Sequence, residues 1–154
     1  MKTIVLGLGN PILGDDGVGW QVAQLILRQN NLPSNVEIDY LSLGGISLME
    51  RLIGYDRAIL IDSFVTNKNP IGTVSFFSLN ELPNQALGHM HSAHDTTLQN
   101  AIAMGRQIGA QLPENISIVA VEAQNVFEFS EELSPAVASA VPTAVQTVIN
   151  LIGG

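Results

Sequence analysis

Two rhythms of apolar and polar residues alternate along this chain: short continuous apolar runs, and longer stretches with helical spacing. Thr3 to Leu6 is a continuous run, as expected of a strand whose sheet is covered on both faces. Asp16 to Gln29 follows with Val18, Val22, Leu25 and Ile26 on one side of a predicted helix. Val36 to Ser42 reads as a second strand and Ile46 to Ile53 as a short helix. Arg57 to Asp62 predicts a central strand, whereas Thr73 to Leu79 alternates less cleanly and predicts an edge strand. Thr96 to Gln111 reads as a helix and Ile116 to Val121 as a strand. A last helix opens at Ser134-Pro135, a capping residue followed by proline at the first helical position. Alternating elements of this kind predict one α/β domain spanning residues 1–154. The expected architecture is a three-layer α/β/α sandwich around a mostly parallel, twisted sheet of about five strands.

The last helix carries no charge from Leu133 to the end. Ser139, Thr143, Gln146 and Asn150 nevertheless stack on one face, and Val137, Val141, Ala144, Val148 and Leu151 on another. A lipid-spanning helix is apolar all round, so this pattern predicts an amphipathic helix laid on the core, with Pro142 expected to bend it. Hydrophobic residues make up 46% of the 154 and charged residues 13%. That composition is far from the polar, charged make-up of disordered chains. The net charge of -8 argues against nucleic acid and anionic membranes as partners, because few basic groups are present to meet phosphates. Cysteine is absent, which removes disulfides, thiol nucleophiles and thiolate zinc sites. Met1-Lys2 runs into an apolar segment too short for a secretory signal, so the expected location is cytoplasmic.

Open α/β sheets bind ligands at the carboxyl ends of their parallel strands. Three segments fall there: the loop Gly7 to Gly19, the pair Asp62-Ser63, and a loop holding His89, His91 and His94. Gly7-Leu8-Gly9 opens like a dinucleotide fingerprint, but Ile12 stands where a third glycine belongs, and two acids precede the helix. Asp15 and Asp16 fit two roles from their residue types. They can cap the helix start and complement its dipole, or one can be a metal ligand or acid–base group. Asp62 can be a ligand or a turn or helix cap. His94 can be a ligand, an ordinary loop histidine, or part of a local clamp with His89 and His91. Asp95 is expected to N-cap the helix from Thr96. Trp20, Phe76, Phe77, Phe127 and Phe129 are expected to pack or to form surface patches.

The stretch Gly7-Leu8-Gly9-Asn10-Pro11-Ile12-Leu13-Gly14-Asp15-Asp16-Gly17-Val18-Gly19 resembles the opening motif of the hydrogenase maturation endopeptidases. The resemblance continues through Asp56 to Asp62, through Ser92-Ala93-His94-Asp95-Thr96-Thr97-Leu98, and through Leu133-Ser134-Pro135 with Pro142. It implies an endopeptidase that removes a C-terminal extension from the large-subunit precursor of a nickel–iron hydrogenase after nickel insertion. By the same resemblance Asp16, Asp62 and His94 would bind nickel, with the metal carried by the substrate. The family often has Glu where this chain has Asp16. Its glycine-threonine-rich segment appears here as Leu43-Gly44-Gly45-Ile46, without the threonine.

A carboxylate–imidazole set suits nickel or zinc, and three protein ligands leave positions open for a substrate. No G-x-S-x-G elbow or H-E-x-x-H helix is present. An aspartic-protease-like dyad of Asp16 and Asp62 lacks a second matching motif. Two rival functions remain. One is a non-enzymatic nickel-binding assembly factor. The other is an enzyme like the peptidyl-tRNA hydrolases, which Gly7 to Pro11 is also similar to, although their following histidine-asparagine pair is absent. Germination-type proteases, similar in fold, are a more distant comparison.

Overall fold

The computed structural model describes residues 1–29, 31–81 and 97–154. Among these residues five strands, β1 (Thr3–Leu8), β2 (Val36–Leu41), β3 (Arg57–Phe64), β4 (Val74–Ser78) and β5 (Asn115–Glu122), form one sheet in the order β2-β1-β3-β5-β4. β2, β1, β3 and β5 run parallel, and only β4 is antiparallel to its neighbour. β1 is buried along its whole length and β3 nearly so, while the edge strands β2 and β4 are only partly covered. The fully apolar runs are therefore the central strands and the irregular one is the edge, as their patterns predict.

Among the described residues four helices cover the two faces: α1 (Val18–Arg28), α2 (Gly45–Leu52), α3 (Leu98–Gln107) and α4 (Pro135–Gly153). Leu48, Met49 and Leu52 of α2 and Leu98, Ala101 and Ile102 of α3 pack with Leu6, Leu60 and Ile118 on one side. Val18, Val22 and Ile26 of α1 and Val137, Val141, Ala144 and Val148 of α4 pack with Val5, Ile59, Ile61 and Val119 on the other. In α4 the stripe Ser139, Thr143, Gln146 and Asn150 is exposed. The helix has the length and composition of a membrane span, but its valine face is spent on the core. Pro142 lies on the exposed side, and α4 continues through it as one element.

Several boundaries moved. Residues 14–17 form a separate 3-10 turn before α1, so Asp16 precedes the helix proper. β3 extends two residues past Asp62, which therefore lies inside a strand paired with Ala120. A turn or helix-cap role for Asp62 is thereby removed. The N-cap of α3 is Thr97, whose hydroxyl oxygen accepts from the Asn100 amide at 3.1 Å. Asp95, expected there, lies outside the described residues, as do Thr96 and all three histidines.

The strand order places the functional edge. The chain leaves β1 toward β2 on one side and returns to β3 on the other. The carboxyl ends of β1 and β3 thus flank the point where connections diverge to opposite faces, and a crevice opens there in doubly wound sheets.

Candidate active site at the β1–β3 crevice

The loop after β1 reaches this crevice because two glycines let backbones approach. A Cβ on Gly19 would stand 2.4 Å from the Ile61 carbonyl oxygen and 2.5 Å from that of Leu8. Only glycine lets α1 sit so close to β1 and β3. Gly9 has φ +128°, and a Cβ there would stand 1.9 Å from the Asp16 carbonyl oxygen. Gly9 thus folds the loop back onto itself, and Gly19 seats α1 against the sheet.

Asp15 and Asp16 are both buried, and neither caps the turn in which it sits. Asp15 turns toward the connection between β5 and α4. Its carboxylate accepts the amides of Gln124 at 3.1 Å, Asn125 at 3.0 Å and Ser134 at 2.6 Å, and the Ser134 hydroxyl at 2.8 Å. Ser134 is the N-cap residue of α4 but makes no side-chain cap; its hydroxyl donates to Asp15 instead. Asp15 therefore fastens the first loop to the end of β5 and the start of α4. Burial alone would raise its pKa, but the hydrogen bonds from Asn125, Ser134 and Gln124 outweigh burial and hold it below the ordinary value.

Asp16 is held between the first loop and β3. Its Oδ2 accepts the Asn10 amide at 2.8 Å and its Oδ1 accepts the Ser63 hydroxyl at 2.9 Å. Asp62, fully buried, accepts the Ser63 amide on Oδ1 at 2.8 Å. The two acids singled out from the sequence, distant along the chain, are thus joined through one serine at the carboxyl edge. His94, the third, lies outside the described residues, together with His89 and His91. Among the described residues no group of three His, Cys, Asp or Glu side chains is clustered as a metal site.

Around this pair the loop is held from three sides. The Ser42 hydroxyl donates to the Gly9 carbonyl, so the end of β2 secures the loop just before the Leu43–Ile46 segment. Trp20 stacks at a tilt on Tyr40, with centroids 4.9 Å apart, and donates its indole N–H to the Leu41 carbonyl. That is the packing role expected of it. Gly14 donates to the Ser130 carbonyl at 2.8 Å, and Ser130 donates to the Ile12 carbonyl at 3.0 Å. This pairing sets the strongly exposed Phe127 and Phe129 on the segment that flanks the loop.

The sequence model of the hydrogenase maturation protease family (HycI) matches residues 20–151. The chain belongs to this family. Hydrogenase 2 maturation protease of Escherichia coli is 27% identical over 97% of this chain and 89% of its own length. A putative hydrogenase maturation protease of Methanocaldococcus jannaschii is 28% identical over 98% of this chain and 94% of its own. The structure of the hydrogenase maturating endopeptidase HybD from E. coli superposes with a TM-score of 0.83 at 26% identity, covering 99% of this chain and 92% of that one. As a hydrogenase maturation protease, the chain is a peptide-bond hydrolase.

Three polar residues of this protease, Ser63, Asn10 and Glu122, make tertiary contacts that the sequence pattern does not show. Ser63 carried one signal, a second polar residue directly after Asp62 in an apolar run. Asn10 acts through its backbone amide, which no side-chain pattern reveals. Glu122, buried at the end of β5, accepts the amide of Thr66 at 2.8 Å and its hydroxyl, and so ties down the connection from β3 to β4.

Proposed function

We propose that this protease is a cytoplasmic endopeptidase that removes the C-terminal extension of a nickel–iron hydrogenase large-subunit precursor after nickel insertion. In this reading the nickel belongs to the substrate, and Asp16, Asp62 and His94 recognise it. The observation that carries the proposal is the meeting of Asp16 and Asp62 through Ser63 at the β1–β3 crevice. Two carboxylates, one from the turn before α1 and one from β3, each with an oxygen anchored by a hydrogen bond, suit two of the three ligand places of an exchangeable site for a borderline metal ion. The exposed Phe127 and Phe129 beside the loop offer apolar surface to an extended peptide.

Held by Asp16, Asp62 and His94, the precursor's nickel would polarise the scissile carbonyl, activate a water or position the peptide. The chain's own residues hold the ion at a fixed place relative to the peptide, which converts recognition of a loaded precursor into alignment of one bond. An unloaded precursor lacks the group that the two acids address.

The test is incubation with nickel-loaded and nickel-free precursor, followed by intact mass. A single cut near the C terminus of the loaded form alone is the expected result. Equal cutting of both forms overturns nickel recognition. Stable association with the precursor and no cut in either form favours an assembly factor instead.

A further inference from the structure

Ser63 is 2% exposed and sits on β3 among apolar neighbours, a place where alanine or valine packs without a hydroxyl to satisfy. Its hydroxyl donates to Asp16 Oδ1 at 2.9 Å, across 47 residues of sequence, while its amide donates to Asp62 Oδ1 at 2.8 Å. One residue therefore supplies a hydrogen bond to each of the two candidate ligands. The Asp16 side chain is short, and its second oxygen is held by the Asn10 amide. With a donor on each oxygen the carboxylate plane is fixed. We propose that Ser63 is a positioning residue for metal recognition, whose hydroxyl sets the Asp16 carboxylate beside Asp62 so that both address one ion.

The inference rests on the reading of Asp16 as a ligand, and it adds a requirement that reading does not contain. Partners that orient a ligating carboxylate contribute about 10- to 100-fold to metal affinity. A hydroxyl that merely fills space in a strand contributes nothing to it.

The experiment measures binding of nickel(II) alone to the full chain by calorimetry, with melting temperature recorded for every variant. Ser63→Ala removes the hydroxyl. Ser63→Thr and Ser63→Val have the same shape as each other and differ only in the hydroxyl, so that pair decides the matter even if the alanine variant folds poorly. The expected result is nickel affinity lowered about 10- to 100-fold in Ser63→Ala and Ser63→Val, and near that of the unsubstituted protein in Ser63→Thr. Equal affinity in the threonine and valine variants overturns the proposal. If Asp16→Asn still abolishes binding in that case, the metal-ligand reading stands without Ser63. Nickel binding by Asp16→Asn as tight as that of the unsubstituted protein overturns both.

Discussion

Asp15 and Asp16 are chemically identical neighbours held by different partners, and substitution separates them. Asn at Asp16 can keep an oxygen toward the Asn10 amide and turn its NH2 to the Ser63 hydroxyl, which can reverse and accept. Stability should fall by no more than about 1 kcal/mol, while processing of a nickel-loaded precursor is lost; a melting curve alongside a cleavage assay reads both. Asn at Asp15 is the costlier change for the fold. Its NH2 meets amide donors on one side, and hydrogen bonds to a charged acceptor contribute about 1.5–3 kcal/mol each, so urea unfolding should show a loss of about 3 kcal/mol. The same carboxylate gives a pH signature. Its folded pKa is lowered, so its stabilisation is complete above the unfolded value of about 3.9 and is lost as pH falls through the folded value. Melting temperature measured below pH 4 should drop less steeply in Asp15→Asn than in the unsubstituted protein.

At the level of elements, the placement of Asp16 depends on how closely α1 lies on the sheet. Gly19→Ala puts a methyl within 2.5 Å of two backbone carbonyl oxygens, on Ile61 and Leu8, and neither can rotate away. The helix has to lift, and the 3-10 turn that carries Asp16 lifts with it. The expected outcome is a loss of about 3 kcal/mol or more in urea unfolding, together with lower processing at temperatures where the variant is still folded. An unchanged midpoint would show that α1 does not press on β3 at that point. α4 illustrates the same dependence, because its N-cap residue Ser134 is held by Asp15 from the loop after β1.

Across the whole molecule, one sheet serves two cores. Leu60 and Ile61 are neighbours on β3 that point to opposite faces, the first toward α2 and α3 and the second toward α1 and α4. Leu60→Ala and Ile61→Ala should each cost about 2–5 kcal/mol. Both should shift a single transition, since neither face can open without the strand they share. Two separate transitions, or a loss confined to one spectroscopic probe, would show that the faces unfold independently. The site lies at the edge where both cores end, so either substitution should lower processing only in proportion to the fraction unfolded.

Periodicity was enough for the strands, the helices and the buried edge of α4, because burial on one or both faces leaves a direct imprint on residue order. The apolar Ala58–Ile61 run marks a strand covered on both faces, and Ser139, Thr143, Gln146 and Asn150 mark the wet side of the last helix. Glycine and paired acids in the Gly7–Gly19 loop, with Asp62 on the central strand, pointed to the crevice for chemical reasons that need no coordinates. The division of labour between Asp15 and Asp16 could not be read that way. It depends on which backbone amides are near, and these come from Asn10, Gln124, Asn125 and Ser134. Ser63 stayed hidden for the same reason. A hydroxyl in a strand is unremarkable until folding sets it 2.9 Å from a carboxylate 47 residues away, and that distance follows from the glycine-thin contact between α1 and β3. Pattern along the chain records burial, whereas the pairing of polar groups is a property of where separate segments meet.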